Sequence, residues 1–277
     1  MSSEFGASVR LGNSKRLQGR NYANTNWQDV IWVNSNDEVA SSNGIRRYRR
    51  DYTKSGRPVI STAISPGGVA TGTAGDLNLL MWPGFSKEYL IKGTQTIKAP
   101  SMTTVGLDLG SLDQTADDGL ELIPTTTTAG SSSKYVIGTS PAFYYEAKVK
   151  VEDVSGSDDL CIGFRKDEAG QANVDDYNDG AWLQMRSGDV YSETIVGNAA
   201  TVSTDTTKDW ADGETHTVRI EVSAAGVVTY KLDGQTLTAP PAYTFTSALT
   251  VMPYIFFLQD TDIAGKVELI YDEDGYL

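Results

Sequence analysis

The chain has 277 residues, a formal net charge of −13, 39% hydrophobic residues and 27 glycines. It is long enough for one large β domain or a sandwich with an appendage, and no run approaches the roughly 20 apolar residues of a membrane helix, which excludes a membrane-spanning class. The N-terminal sequence MSSEFGASVRLGNSKRLQ has no apolar stretch, so we expect no secretory signal peptide.

The charge is unevenly distributed along the chain. Residues 1–60 carry ten basic and five acidic side chains, whereas residues 61–277 carry 13 basic and 31 acidic side chains. A basic segment therefore precedes an acidic body. Such asymmetry is typical of a segment that contacts a partner of opposite charge.

Residues 1–75 show little sustained hydrophobic period, apart from a short strand predicted at 30–33. A segment of this composition cannot bury enough apolar surface to fold as an independent domain. We therefore expect an extended, mostly irregular, basic arm that is ordered by what it contacts.

The sequence IRRYRRDY, residues 45–52, is the basic centre of this arm. It fits three interpretations: a solvated basic loop, a clamp onto an acidic protein surface, or a nucleic-acid contact. The last is the least favoured, because no recognisable nucleic-acid-binding fold accompanies it. The residues expected to contact a partner are Trp27, Trp32, Arg46, Arg47, Tyr48, Arg49 and Arg50.

A glycine-rich stretch from Pro66 to Gly75 separates the arm from the body, and we place the boundary there. Residues 76–97 are interpreted as a connecting segment. Its apolar block LNLLMWPGF, residues 77–85, fits either an edge strand or an anchor folded onto the body or a neighbour.

From residue 98 onward the sequence predicts strands separated by turns and no helix. Such spacing is typical of a two-sheet sandwich, so residues 98–277 are predicted to form an all-β, antiparallel jelly-roll sandwich. The predicted strands are 101–109, 120–123, 143–151, 159–166, 181–186, 190–196, 215–223, 227–232, 243–245, 249–258 and 266–271.

The clearest strand signal is DGETHTVRIEVSAAGVVTYKLDG, residues 212–234. Val218, Ile220 and Val222 share one face of its first strand, and Asp233-Gly234 is a dipeptide that favours a tight turn. We predict a hairpin followed by a third strand that folds straight back. Cys161, the only cysteine, lies in the apolar stretch DLCIGF and is predicted to be a buried, unreactive thiol.

Together with residues 142–151 and 157–165, this hairpin resembles the concanavalin A-like lectin/glucanase sandwich in its laminin G-like form, in which a strand DGxxHxVxI leads into a strand ending near DG. More narrowly, GLDLGSLDQTADDGLELI and YYEAKVKVEDVSGSDDLCIGFRKDEA resemble virion proteins of tailed bacteriophages. The resemblance implies a particle protein and not an enzyme.

Catalytic and metal chemistry have weak support. Glycoside hydrolysis needs a fixed pair of carboxylates, and the spacing E-x-D-x-x-E of the glucanases is absent. Glu146, Glu221 and Glu268 stand alone on predicted strands and are interpreted as outward-facing. Asp175, Asp176 and Asp179 in DDYND are weak candidates for Ca²⁺, without EF-hand spacing, and we expect no cofactor.

A glycan site needs an aromatic platform beside polar groups. The candidates are Asp176, Tyr177, Asn178, Trp182 and Tyr191, although for Trp182 a core position in its strand is the favoured interpretation. His216 has no second ligand or triad partner in the sequence, so a structural role is expected.

The sequence therefore predicts a phage virion protein, assembled in the host cytoplasm in many symmetry-related copies. We expect a capsid decoration or cement role, in which the arm binds the major capsid protein or another virion protein. The alternative is a glycan-binding, lectin-like module of a head fibre or tail spike.

Overall fold

The computed structural model describes residues 16–20, 27–33, 39–41, 47–51, 59–62, 77–82, 85–93, 101–109, 118–124, 134–155, 157–259 and 266–277. Across these ranges the chain forms two antiparallel sheets and no α-helix, and a single 3₁₀ turn covers Val174–Asp176. Accordingly, none of the described segments is a helix that could span a membrane.

The first sheet, sheet A, has eleven strands in the described part of the chain. Its main order is β1-β2-β3-β4-β21-β12-β17-β18-β19, and β9, itself paired with β8, lies on β21 as well. The strands are β1 (Arg16–Arg20), β2 (Trp27–Val33), β3 (Val39–Ser41), β4 (Arg47–Asp51), β8 (Ser101–Met102), β9 (Leu107–Asp108), β12 (Phe143–Val151), β17 (Thr215–Val222), β18 (Val228–Leu232), β19 (Gln235–Thr236) and β21 (Val267–Tyr276).

The second sheet, sheet B, has ten strands within the same ranges. Its order is β16-β15-β14-β13-β20-β10-β7-β6-β5, with β11 paired to β20. The strands are β5 (Val59–Thr62), β6 (Leu77–Trp82), β7 (Phe85–Lys92), β10 (Gly119–Pro124), β11 (Tyr135–Val136), β13 (Ser157–Lys166), β14 (Asp179–Arg186), β15 (Asp189–Val196), β16 (Val202–Asp209) and β20 (Thr250–Gln259).

The main core lies between the sheets and follows from the period of two along the strands. In β12 the residues Phe143, Tyr145, Ala147, Val149 and Val151 are all fully buried, and they alternate with half-buried positions along most of the strand. Sheet B contributes its own alternate residues to the same cluster. The sandwich is therefore held together by one continuous apolar layer.

The hairpin of β17 and β18 is confirmed, and so is the strand that folds back after it. Asp233 and Gly234 have φ values of 49° and 77°, as a type I′ turn requires, and β19 pairs with β18. The Asp233 carboxylate also accepts a hydrogen bond from the backbone N–H of Thr217 at 2.8 Å.

The all-β, two-sheet sandwich fold is confirmed, and Cys161 is buried as predicted. Among the differences from the predicted strands, three have a clear physical reason. Residues 101–109 form the short pair β8–β9, because the Thr103 hydroxyl accepts hydrogen bonds from the N–H groups of Val105 and Gly106 in a turn. The predicted strand 243–245 is one isolated bridge, and β16 was missed because its residues are mostly exposed and polar.

The first 75 residues contain more strand than the single one that the sequence predicts. β1 to β5 lie there, and β4 pairs with β21 while β5 pairs with β6. The weak hydrophobic pattern of this segment does not predict these strands. β4 and β5 are placed by backbone pairing to strands of the body. β6 and β7 lie in the predicted connecting segment and belong to sheet B; β7 pairs with β10 and β6, and β6 also pairs with β5, so neither is an edge strand.

Candidate functional site

The outer face of sheet B is unusual because it is also buried. Along β20, Val251, Ile255 and Phe257 face sheet A, whereas Tyr254 and Phe256 belong to a second cluster on the opposite face. Residues 167–178, the loop between β13 and β14, place Val174 and Tyr177 in this second cluster. We call it the outer-face cluster: Leu90, Ile123, Cys161, Val174, Tyr177, Trp182, Ile195, Met252, Tyr254, Phe256 and Leu258.

A buried ion network lies beside the outer-face cluster. The carboxylate of Glu121 on β10 accepts hydrogen bonds from Arg165 Nε at 2.6 Å, Lys92 Nζ at 3.0 Å and the Tyr177 hydroxyl at 2.7 Å. The Arg165 guanidinium also lies 4.5 Å from the Tyr177 ring centroid. Three side chains, from two strands and one loop, are thus fixed around one carboxylate.

The electrostatics of the network favour an ionised glutamate. Burial opposes ionisation of Glu121, but the charges of Arg165 and Lys92 outweigh it and hold the pKa of Glu121 below its ordinary value. Burial lowers the pKa of Lys92, against the attraction of Glu121. Burial together with Glu121 raises the pKa of Tyr177, so its hydroxyl remains a hydrogen-bond donor.

The network holds the loop 167–178 against the sheet. Lys92 Nζ donates to the carbonyl of Gln171, and the Gln171 N–H donates to the Tyr177 hydroxyl at 3.1 Å. Gly170 allows the loop to approach β7 closely, because a Cβ at this position would lie 2.4 Å from Leu90 Cδ1. The loop position is therefore fixed by buried charge as well as by packing.

Next to the loop, the outer face opens into a polar cleft of about 340 Å³. Three carboxylates, one guanidinium, one amide and one hydroxyl surround a small apolar floor. The lining residues are Asp159, Asn173, Val174, Asp175, Arg186, Glu193, Thr201 and Leu258.

Arg186 is the cation at the centre of this cleft. Its Nη2 lies 3.5 Å from Glu193 Oε1 and 3.8 Å from Asp159 Oδ1, and it donates to Gln184 Oε1 at 3.0 Å. The Arg186 side chain is 44% exposed, whereas those of both carboxylate partners are largely buried. The guanidinium can therefore meet a ligand while two fixed carboxylates orient it.

Two further polar groups define the chemistry of the cleft. Burial raises the pKa of Glu193, although Ser203, Arg186 and Trp182 favour its ionised form. Thr201 Oγ1 is buried and has no hydrogen-bond partner among the described residues. A buried hydroxyl without a partner can take a hydrogen bond from a ligand or donate one to it.

The predicted glycan candidates are only partly brought together. Tyr177 and Trp182 are completely buried, so neither ring can serve as a sugar platform, and Trp182 takes the core position that the sequence also allowed. Trp182 Nε1 donates to Glu193 Oε2 at 3.1 Å and so supports the wall of the cleft. Tyr191 is half-buried, with Arg186 5.6 Å from its ring centroid.

The remaining polar candidates point to different partners. The backbone N–H and the side-chain amide of Asn178 both donate to Glu168. Asp175 lines the cleft, Asp176 accepts from Asn173 Nδ2 at 3.3 Å, and Asp179 accepts from the Gly197 N–H at 3.2 Å. The weak Ca²⁺ candidates are not gathered into one site, and no group of three metal-ligating side chains occurs in the described ranges.

The basic segment of residues 45–52 contains the strand β4, which differs from a solvated loop. β4 pairs with the acidic end of β21, and the register places Arg50 opposite Asp272 and Arg49 opposite Glu273. Tyr48 stands opposite Asp274, and Trp27 and Trp32 lie in β2. Arg46 lies outside the described residues.

The acidic end of β21 is itself partly buried. Asp272 and Asp274 are 0% exposed, and they accept hydrogen bonds from the hydroxyls of Tyr145 at 3.0 Å and Tyr135 at 2.8 Å. Glu273 accepts from the Tyr144 hydroxyl. The edge of β21 that β4 covers is therefore lined by fixed carboxylates.

The other residues that the sequence pattern brought forward, His216 and three glutamates, make structural contacts. His216 lies between Asp233 at 2.7 Å and Glu214 at 3.1 Å and contacts the Trp210 ring edge-on. Glu146 and Glu221 share Arg219 on the outer face of sheet A. Glu268 lies on the face opposite the core residues Val267 and Leu269, as interpreted, but it is buried, because Thr103 from the β8–β9 turn covers it and donates to its carboxylate.

Sequence reasoning missed Asp159, Arg186, Glu193 and Thr201. The sequence carried a usable signal for Arg186 and Glu193. The β14–β15 register places Trp182 opposite Glu193, so the outward-facing polar residues of both strands lie on one face of the sheet. Thr201 and Asp159 gave no such signal, because they reach the cleft through strand order and not through their local pattern.

Comparison of the whole chain with known proteins finds similarity only at the level of structure. No protein-family model matches the chain, and no curated protein matches it in sequence. The carbohydrate recognition domain of Emp47p matches with a TM-score of 0.51 and 10% identity over 86% of this chain and 99% of that domain.

Weaker matches include the metal-free carbohydrate recognition domain of Emp46p, with a TM-score of 0.47 and 9% identity over 68% of this chain and 87% of that domain. Alginate lyase PA1167 from Pseudomonas aeruginosa matches with a TM-score of 0.42 and 15% identity, covering 70% of this chain and 83% of the lyase. At 10% identity the match to the Emp47p domain gives the fold alone. The chain has a concanavalin A-like, lectin-type sandwich fold.

Proposed function

We propose that the chain is a bacteriophage virion protein whose lectin-type sandwich binds glycans through the polar cleft on the outer face of sheet B. The observation that carries the proposal is the convergence of Arg186, Asp159, Asp175 and Glu193 on one open cleft with an unpartnered Thr201 hydroxyl. The virion assignment rests on the sequence resemblance of residues 106–123 and 144–169.

The chemistry of the cleft suits a ligand rich in hydroxyl groups. Carboxylates accept hydrogen bonds from sugar hydroxyls, and the guanidinium and the threonine hydroxyl donate to sugar oxygens. Tyr191 offers the only predicted aromatic platform that is not buried. A concave site with a few converging polar groups is the usual form of a small-ligand site.

We propose binding and not catalysis. Asp159 and Glu193, the two buried carboxylates of the cleft, both lie within 4 Å of the same guanidinium, that of Arg186. A glycoside hydrolase needs its carboxylate pair free on either side of the scissile bond.

A glycan array with the purified chain tests this function. We expect a specific glycan to bind, and Asp175→Asn or Arg186→Ala to weaken binding by about tenfold or more, since a hydrogen bond to a charged group contributes about 1.5–3 kcal/mol. Asp209→Asn changes an exposed carboxylate outside the cleft and should bind like the unmodified chain. Absence of any bound glycan, or equal loss in the Asp209 variant, would contradict the proposal.

A second candidate is the capsid decoration role, with the major capsid protein or another virion protein as partner. The observation that favours it is the pairing of the basic strand β4 with a strand that carries three consecutive acidic residues. A segment that adds to an acidic sheet edge has the chemistry needed to fasten one virion subunit to another.

This role is tested by deleting residues 1–73. We expect the shortened chain to remain folded by far-UV circular dichroism but to be lost from particles, because the basic strands are gone. Mass spectrometry of purified particles gives the copy number. Incorporation at normal copy number would overturn the attachment role while leaving the glycan proposal untouched.

A further inference from the structure

The outer face of sheet B carries a row of acidic side chains beside the polar cleft. Asp189, Tyr191 and Glu193 alternate along β15 and therefore share one face of the sheet, the face on which Glu193 lines the cleft. On the next strand, Asp205 stands directly opposite Tyr191, and Asp175 lines the cleft from the loop 167–178. We call these five residues the acidic strip.

The negative charges of the acidic strip act on one another. Asp175, Asp189 and Asp205 are exposed, and the Tyr191 hydroxyl donates to Asp189 Oδ2 at 3.4 Å. Burial raises the pKa of Tyr191, and the charges of Asp189 and Asp205 add to the rise. Burial likewise raises the pKa of Glu193, and the charge of Asp175 adds to it. A bound cation would relieve this repulsion.

The arginine of the cleft shows that these groups accommodate a cation. The Arg186 guanidinium lies 5.6 Å from the centroid of the Tyr191 ring, and its Nη2 lies 3.5 Å from Glu193 and 3.8 Å from Asp159. Two carboxylates thus already face this single positive charge. The three aspartates of the acidic strip form no ion pair within the described ranges, so their charges remain available to a ligand.

We propose that the acidic strip selects glycans that carry protonated amino groups, which makes the ligand an oligosaccharide of amino sugars with free amines. This inference rests on the proposed glycan-binding function and names the class of glycan. An ammonium group donates charge-assisted hydrogen bonds to carboxylates and packs over a tyrosine ring, as Arg186 does in this chain. The same carboxylates repel an acidic glycan.

Isothermal titration calorimetry with tetrasaccharides of matched length tests the selectivity. The probes are β-linked glucosamine, its fully N-acetylated form and galacturonate, at low ionic strength and a mildly acidic pH at which the amines are protonated. We expect the amine tetramer to bind about tenfold more tightly than the N-acetylated tetramer, because charge-assisted hydrogen bonds are the stronger ones. The galacturonate tetramer should not bind measurably. Added salt should reduce the preference, because the aspartates are exposed to solvent.

A double variant removes the charges without removing the hydrogen-bond acceptors. Asp175→Asn/Asp205→Asn keeps both side-chain carbonyl oxygens, including the Oδ1 of residue 205 that accepts from the Thr207 N–H at 2.6 Å. The preference for the amine tetramer should fall to about twofold or less. Glu152→Gln, an exposed carboxylate next to the end of β12 in sheet A, should leave the preference unchanged. An equal loss in both variants would overturn the role of the acidic strip.

The outcomes separate this inference from the proposed function. Equal affinity for the amine and N-acetylated tetramers, or tighter binding of galacturonate, would overturn the selectivity for amines and leave glycan binding intact. Binding of a simple diamine, putrescine, as tightly as the amine tetramer would show that the strip takes amines without a sugar, and would overturn the inference as well. Failure of every tetramer to bind also overturns it, whereas the proposed function fails only if the glycan array is empty too.

Discussion

At the scale of single residues, Glu121 is the side chain on which most buried contacts converge. Its carboxylate is completely buried and holds Arg165, Lys92 and Tyr177 together. We expect Glu121→Gln to lower the free energy of unfolding by about 3–5 kcal/mol, because it leaves Arg165 as an uncompensated buried charge. Urea denaturation at neutral pH measures the change.

A matched substitution, Glu152→Gln, shows whether the loss of stability comes from the buried network or from removing a carboxylate in general. Glu152 pairs with Lys150 at 3.2 Å and is largely exposed, so Glu152→Gln should cost less than about 1 kcal/mol. Equal costs for the two variants would show that the buried network does not stabilise the fold. Because the pKa of Glu121 is lowered, its contribution should also disappear as the pH falls through the folded pKa.

The contribution of His216 to stability has the opposite pH dependence to that of Glu121. Burial opposes its protonation, but the hydrogen bonds to Asp233 and Glu214 outweigh burial and raise its pKa above the ordinary 6.5. The stabilisation by the protonated ring is therefore complete below the unfolded pKa and is lost as the pH rises through the folded pKa. Melting temperatures should fall over that range by an amount equivalent to about 1 kcal/mol or less.

The variant His216→Gln provides the comparison. It has no titrating ring, so its melting temperature should change less with pH across the same range than that of the unmodified chain. Parallel curves for the two proteins would assign the pH dependence to other groups.

At the scale of elements, Gly163 sets how closely β13 and β14 approach. A Cβ at this position would lie 2.3 Å from the carbonyl oxygen of Ala181 and 2.6 Å from Trp182 Cα, which are backbone atoms that cannot rotate away. We expect Gly163→Ala to destabilise the sandwich by about 3 kcal/mol, the upper end of the range for overpacking. Urea denaturation again gives the value.

Gly197→Ala is the matched control for Gly163→Ala. Nothing lies within 4 Å of a Cβ at Gly197, whose φ is +59°, so only backbone strain of about 1 kcal/mol is expected there. A smaller cost at Gly163 than at Gly197 would mean that the close strand approach is not needed.

Strands were predictable from the sequence where apolar and polar residues alternate along them. β12, β15 and β17 follow clean periods of two, and the predicted boundaries agree with the observed ones to within one residue at each end. β16 and β4 were not predicted, because an exposed strand and a basic strand carry no apolar alternation. β4 depends on an edge supplied by the distant strand β21, and β16 adds to its sequence neighbour β15 without an apolar pattern of its own.

At the scale of the whole molecule, the sandwich class was predictable and the candidate site was not. The lectin-type fold followed from the DGETHTVRIEV hairpin and the spacing of the strands. The cleft brings Asp159, Arg186, Glu193 and Thr201 together from β13, β14, β15 and the residue before β16, so its composition depends on strand order. Tyr177 and Trp182 cannot be sugar platforms because the outer face of sheet B is covered, which a period of two cannot reveal, although the core position of Trp182 was an open alternative.

The single thiol of the chain lies in that covered layer. Cys161 is completely buried within the outer-face cluster, beside residues brought there by the loop 167–178. A water-soluble alkylating reagent can reach its sulfur only when that part of the molecule opens. The rate of Cys161 alkylation therefore reports how often the outer face opens locally. It can be measured on the unmodified protein without an introduced label.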